Sequence, residues 1–213
     1  MSSDVLVTTP AQRQTEPHAE AVSRNRRQQA TFRKVLAAAM ATLREKSYAD
    51  LTVRLVAARA KVAPATAYTY FSSKNHLIAE VYLDLVRQVP CVTDVNVPMP
   101  IRVTSSLRHL ALVVADEPEI GAACTAALLA GGADPAVRAV RDRIGAEIHR
   151  RITSAIGPGA DPGTVFALEM AFFGALVQAG SGTFTYHEIA DRLGYVVGLI
   201  LAGANEPSTG GSE

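Results

Sequence analysis

Tryptophan is missing from this 213-residue chain, cysteine occurs twice, and aromatic residues make up only 6% of it. Two cysteines in unlike surroundings, Cys91 and Cys124, neither staple a small secreted fold nor match a metal-ligand spacing, so both are expected as free thiols in a reducing compartment, with no metal bound. A signal peptide needs a basic start and an apolar run, and Asp4, Pro10, Glu16 and Pro17 stand there instead. The apolar stretch from Tyr195 to Ala204 falls far short of the roughly 20 residues of a membrane span. Apolar and polar residues never alternate for long, which argues against strands. Catalytic groupings are missing too. His18, His76, His109, His149 and His187 are scattered, and no carboxylate pair or nucleophile stands at a telling spacing. No glycine-rich phosphate loop is present, since Gly131-Gly132 and Gly157-Pro158-Gly159 read as helix stops. The chain is therefore expected to be a soluble, cytoplasmic protein without enzymatic activity, cofactor or membrane partner.

What is present is an ordinary globular composition, 48% apolar and 19% charged, with a charge imbalance hidden inside a net +1. Residues 1 to 90 carry 13 Lys/Arg against 7 Asp/Glu, whereas residues 91 to 213 carry 8 against 13. Between Ser23 and Lys74 the ratio is 11 to 2. Such a segment can neutralise phosphates and release counterions from nucleic acid; basic segments also meet anionic membranes or are merely solvated. A small helical carrier protein would have no use for it.

Apolar residues recur at three and four, so the reading is all-α, about nine helices. Phe32, Val35, Leu36, Ala39, Met40 and Leu43 form the inner stripe of a first helix from about Arg26 to Lys46. Thr52 caps a short second helix, Pro64 opens a third, and Ser73 caps a fourth that stops before Pro90. Glu117-Pro118, Asp134-Pro135 and Asp161-Pro162 mark later starts, and Thr185 with Glu188 matches a capping box. The later helices are expected near 101–115, 118–130, 135–156, 162–181 and 186–203. The expected organisation is a tail at 1–22, a three-helix unit at 23–73, a helical bundle at 74–204, and a second tail at 205–213.

The last two helices have little polar surface, and small residues recur along them. Helices apolar nearly all round must be buried on several sides. Burial inside one chain and a two-fold interface between chains both meet that need. The interface candidates are Phe172, Ala175, Leu176 and Ala179 on one helix and Gly194, Val197, Gly198 and Leu201 on the other.

Two short helices joined by a three-residue turn and braced by a first helix make the arrangement whose second helix enters the major groove. From Pro64 onward, Ala67 and Phe71 are expected inward and Ala65, Thr66, Thr69 and Tyr70 outward, with Tyr68 at the flank. Short side chains at 65, 66 and 69 let the backbone sit deep, where hydroxyls bond phosphates or base edges and methyls touch thymine. Thr52, Tyr68, Tyr70 and Lys74 are the phosphate candidates, and Arg54 is long enough for a base edge. Thr52-Val53-Arg54 through Ala60-Lys61-Val62-Ala63 to Thr66, Tyr68, Tyr70-Phe71 and Lys74 resembles the DNA-binding signature of TetR-family regulators.

That resemblance implies a homodimer on a near-palindromic operator, most commonly a repressor, with DNA contacts on Arg54, Ala65, Thr66, Tyr68, Thr69, Tyr70 and Lys74. It also implies a small-molecule effector and a four-helix interface made by the final two helices of each chain. Lys61 stands where the family turn favours glycine, and Ala63 where it favours a serine cap. The turn at Lys61 then needs a strained or altered backbone, and an amide of the third helix loses a partner. Candidates for lining an effector pocket are Tyr82, Leu107, Leu110, Val114, Cys124, Leu128, Met170 and Phe173, mostly apolar and suited to an apolar or amphipathic ligand.

Overall fold

The computed structural model describes residues 16–92, 94–130 and 133–204, with side chains from residue 25 onward. Among the described residues it has nine helices and no strand: α1 (Glu16–Leu43), α2 (Val53–Arg59), α3 (Pro64–Tyr70), α4 (Lys74–Gln88), α5 (Met99–Leu112), α6 (Pro118–Ala130), α7 (Pro135–Ile156), α8 (Pro162–Gly180) and α9 (Tyr186–Ala204). Most of the expected tails, 1–15 and 205–213, lie outside the described residues. Residues 16–22, expected in the first tail, instead open α1. Glu16-Pro17 is itself a helix start of the kind that opens α6, α7 and α8.

The starts follow local chemistry. Thr52 Oγ1 accepts the Leu55 N–H at 3.1 Å, Ser73 Oγ accepts that of His76 at 3.0 Å, and Asp161 accepts that of Thr164 at 2.7 Å. The Thr185–Glu188 box closes in both directions, at 3.2 and 2.8 Å. Glu117 does something else: it forms a two-pronged ion pair with Arg44, tying the end of α1 to the start of α6. Gly157 ends α7 at φ 97°, a conformation costly for a residue with a Cβ.

Helices α1 to α3 share one small core, in which Val35, Ala39, Leu51, Val56, Ala57, Ala67 and Phe71 lose nearly all their surface. Helix α4 belongs to both halves, since it packs on α1 and on α6 and α7. Behind it α5, α8 and α9 complete the bundle, with α9 against α5 and α8.

Two arginines staple helix ends. Arg102 of α5 donates to the carbonyls of Ala155 and Ile156 at the end of α7. Arg151 of α7, 2% exposed, donates to Val86 and Val89 at the end of α4, at 2.9 and 2.6 Å. At the opposite end of α4, Ser73 donates to Asp134 at 2.9 Å, and Asp134 in turn caps α7 through the Ala136 N–H.

Candidate functional site

The pair α2 and α3 turns at 60–63 with Lys61 in the left-handed region, φ 52°, where the alternative of a different turn was also open. The Val62 N–H reaches back to the Ala57 carbonyl at 3.0 Å and closes the turn. Ala63 gives α3 no side-chain cap, and Pro64 at the first turn removes one amide that would need one. Ala67 and Phe71 are fully buried, which leaves Ala65, Thr66 and Thr69 exposed and Tyr68 at 52% exposure. Thr69 Oγ1 folds back onto the Ala65 carbonyl at 3.1 Å. Thr52 and Arg54 stand exposed on α2, Thr52 already serving as its cap.

Two expected contacts sit differently. Tyr70 is half-buried, edge-on to Phe32 with ring centres 6.1 Å apart and beside Phe71, because the stripe that buries Phe71 also draws in its neighbour. Lys74 donates to the carbonyls of Tyr48 and Ala49 at 3.1 and 3.3 Å and lies 4.5 Å from the centre of the Tyr48 ring. It braces the turn between α1 and α2 instead of projecting freely.

Within the second half, α4, α6, α7, α8 and α9 line a partly open cavity of about 280 Å³. Tyr82, Cys124, Leu128 and Phe173 line it as expected. Leu107, Leu110 and Val114 do not; they are core residues of the α5 region. Met170 is half exposed on the outer groove between α8 and α9. The sequence reading missed Thr125, Arg141, Ile144 and Tyr186. Only the buried period of α7, Val137, Val140 and Ile144, hints that Arg141 borders the interior.

The Tyr82 hydroxyl and the Arg141 Nε are buried without a hydrogen-bond partner. Burial first, then Cys124 and Tyr186, pushes the Tyr82 hydroxyl far above the usual phenol range, so it stays neutral. Burial likewise pushes the Cys124 thiol up to about 12. The Tyr186 ring lies over Gly121, where a Cβ would sit 2.6 and 2.7 Å from two of its ring carbons.

Between the cavity and α3 runs a polar chain. The Ser72 N–H donates to His76 Nδ1 at 3.2 Å, His76 Nε2 lies 3.6 Å from Glu80, and Arg143 of α7 donates to Glu80 at 2.5 Å. Phe71 meets the His76 ring edge-on at 5.9 Å. Burial works to raise the Glu80 carboxyl, but hydrogen bonds from His76 and Arg143 outweigh it and hold the group below the ordinary carboxylate range.

The sequence model of bacterial regulatory proteins of the tetR family matches residues 35–81, from the core of α1 through α2 and α3 into α4. Over these residues the chain is similar to that family. Solved structures agree in fold. A TetR transcriptional regulator from Rhodococcus sp. RHA1 is 21% identical, with 84% of this chain and 98% of that one covered at a TM-score of 0.69. Thermus thermophilus FadR, a TetR-family repressor in complex with lauroyl-CoA, is 18% identical over 85% and 99%, at 0.60. Bacillus subtilis FadR in complex with stearoyl-CoA is 14% identical over 81% and 98%, at 0.55.

Outside α1 to α3, the chain carries an apolar face on α8 and α9. Phe166, Met170 and Val177 on α8 and Tyr195 and Leu199 on α9 are between 43% and 72% exposed. Of the residues expected at an interface, Gly198 is exposed and Ala175, Leu176 and Gly194 are half-buried. Phe172, Ala179, Val197 and Leu201 instead lie within the chain's own core. A helix apolar on every side carries no sequence mark of which side its own chain covers. By length and composition Pro162–Gly180 also reaches what a membrane span needs, beyond the Tyr195 to Ala204 stretch weighed from the sequence. Val165, Leu168 and Phe172 are nevertheless packed inside the bundle.

Proposed function

We propose that two copies of this chain, paired through the exposed face of α8 and α9, hold a near-palindromic operator as a cytoplasmic repressor that a small apolar or amphipathic effector releases. Residues 23–73 act on DNA, and residues 74–204 bind the effector and the partner copy. The observation that carries this reading is the division of α3, with Ala67 and Phe71 fully buried and Ala65, Thr66, Tyr68 and Thr69 turned to solvent. Thr66 and Thr69 meet base edges, Ala65 allows close approach, and Tyr68 and Thr52 bond phosphates, with Arg54 reaching in from α2. Tyr70 and Lys74 position these groups through Phe32 and through the turn at Tyr48 and Ala49.

The two reading helices must stand roughly 34–36 Å apart to enter successive major grooves. An effector among α4, α6, α7 and α8 acts on that spacing through α4, whose two ends are held by Asp134 and Arg151 of α7. Shifting the population from 1:99 to 99:1 takes about 5.5 kcal/mol of differential binding. The lauroyl-CoA and stearoyl-CoA complexes of the two FadR proteins support an apolar effector of this kind.

The test is a mobility-shift titration against DNA from upstream of the protein's own gene. Tyr68→Ala and Thr66→Ala are each expected to weaken binding about tenfold, in line with the ~1–3 kcal/mol of a well-made contact. Unchanged binding in both variants would refute the placement of the reading helix. Leu199→Glu is expected to turn the sedimenting dimer into a monomer with weaker operator binding; a persistent dimer refutes the proposed interface.

A further inference from the structure

We infer that the inner cavity is built for an amphipathic carboxylic acid, a single-ring or medium-chain one, whose anionic head lies between Arg141 and Tyr82 and whose apolar part lies among Leu128, Ile144, Phe173 and Leu176. This rests on the effector reading above and names the ligand's chemical class.

Arg141 is the one charged residue lining the cavity among the described residues. Its Nε is buried without a partner, and no carboxylate of a described residue stands within 4 Å of its guanidinium. Its neighbours on α7 differ: Arg143 pairs with Glu80, and Arg150 and Arg151 both pair with Glu147. Of the two α7 arginines without a carboxylate partner among the described residues, Arg138 and Arg141, only Arg141 lines the cavity. The second orphan, the Tyr82 hydroxyl, belongs to a residue 5% exposed, and burial keeps its proton in place. The residues of the cavity wall therefore carry two unpartnered donors and one positive charge. Cys124 is kept protonated, so no thiolate competes.

Each ligand class meets this lining differently. A cation meets a like charge. A purely apolar molecule leaves both donors desolvated and unmade, the costly outcome for buried polar groups. A carboxylate accepts from both, and the planar guanidinium fork suits its two oxygens better than an ammonium would. Size sets the rest, because about 280 Å³ lies just under the usual ~300–1,000 Å³ range of ligand pockets and takes a ring or a medium chain but not a whole coenzyme A ester. Arg141 also borders the outer groove that holds Arg138, His149 and Glu169, so its charge stands at the wall between cavity and water.

The test is calorimetric titration of the full-length protein with octanoate and benzoate, each against its uncharged amide, octanamide and benzamide. The acids are expected to bind at least about tenfold more tightly than the amides, the scale of a charge-assisted hydrogen-bond pair. Arg141→Met is expected to bring that ratio close to one, Arg141→Lys to keep part of it, and Tyr82→Phe to lower acid affinity several-fold, with folding of each variant checked by its thermal melt. Equal binding of acid and amide, or a preference that survives Arg141→Met, overturns the assignment. Release of operator DNA by an amide or by octanoyl-CoA, with no acid preference, overturns it too while leaving the effector cavity standing. A protein that binds operator but none of the panel refutes both the acid and the cavity as its effector site.

Discussion

Arg151→Met removes the clamp on α4 without removing its bulk. Arg151 is 2% exposed; it donates to Val86 and Val89, and its guanidinium lies 2.9 Å from Glu147. Three losses do not add. Val86 O keeps a second donor, the Val89 N–H at 3.2 Å, and Glu147 keeps Arg150 at 2.6 Å. The Val89 carbonyl loses a buried charged donor outright, at about 1–3 kcal/mol, and the methionine leaves some volume unfilled. A total of roughly 2–4 kcal/mol follows, below the ~3–5 kcal/mol for breaking a fully dependent buried pair. At about 2–4 °C per kcal/mol for a chain of this size, the melting temperature should fall by roughly 5–15 °C. Circular dichroism melts and urea titrations read the change, and hydrogen exchange should quicken first in the last turn of α4. A variant within about 0.5 kcal/mol of the parent, the scatter of ordinary surface changes, refutes the clamp.

Three further outcomes are expected. Lys61→Gly relieves a left-handed φ of 52°, and the roughly 1–3 kcal/mol of strain outweighs the ~1 kcal/mol of added chain entropy, so the melt should rise slightly; a fall refutes the strained turn. Gly180→Ala sets two effects against each other. Alanine favours a helix by about 1 kcal/mol, but its Cβ would lie 2.5 and 2.7 Å from Cβ and Cγ2 of Thr125, and overpacking of that kind costs about 1–3 kcal/mol, so net destabilisation is expected and a raised melt refutes the contact between α6 and α8. Glu80, held below the ordinary carboxylate range, contributes stability that is full above its unfolded pKa and fades as pH falls through the lower folded value. Glu80→Gln should therefore be less stable than the parent at neutral pH and show a shallower loss in acid; parallel pH profiles of the two proteins refute the Glu80 network.

Helix positions were legible because helix starts are written locally. Thr52, Ser73, Asp134, Asp161 and Thr185 each carry their own acceptor, and each caps where the sequence places it. The outward side of α3 was legible for Ala65, Thr66 and Thr69, since Ala67 and Phe71 fix the inward stripe. What was not legible depends on partners distant in sequence. Lys74 finds two carbonyls 25 and 26 residues away, and nothing near it in the chain announces them. Arg141 reads as a solvated charge until α4 and α6 close over it. On α8 the error has another cause: residues apolar all round leave its rotation to be settled by packing, so Phe172, expected at an interface, lies in the chain's own core without any change in pattern.

Ser73 and Asp134 share one hydrogen bond, and each is also the first stop of its own helix. A tilt of α7 would therefore pull on the joint directly behind α3, away from the DNA contacts proposed above. On the proposed function, the groups that choose a DNA sequence and the joint that answers an effector are separate hardware, so recoding Ala65, Thr66 and Thr69 for another operator should leave the response curve to the small molecule where it was.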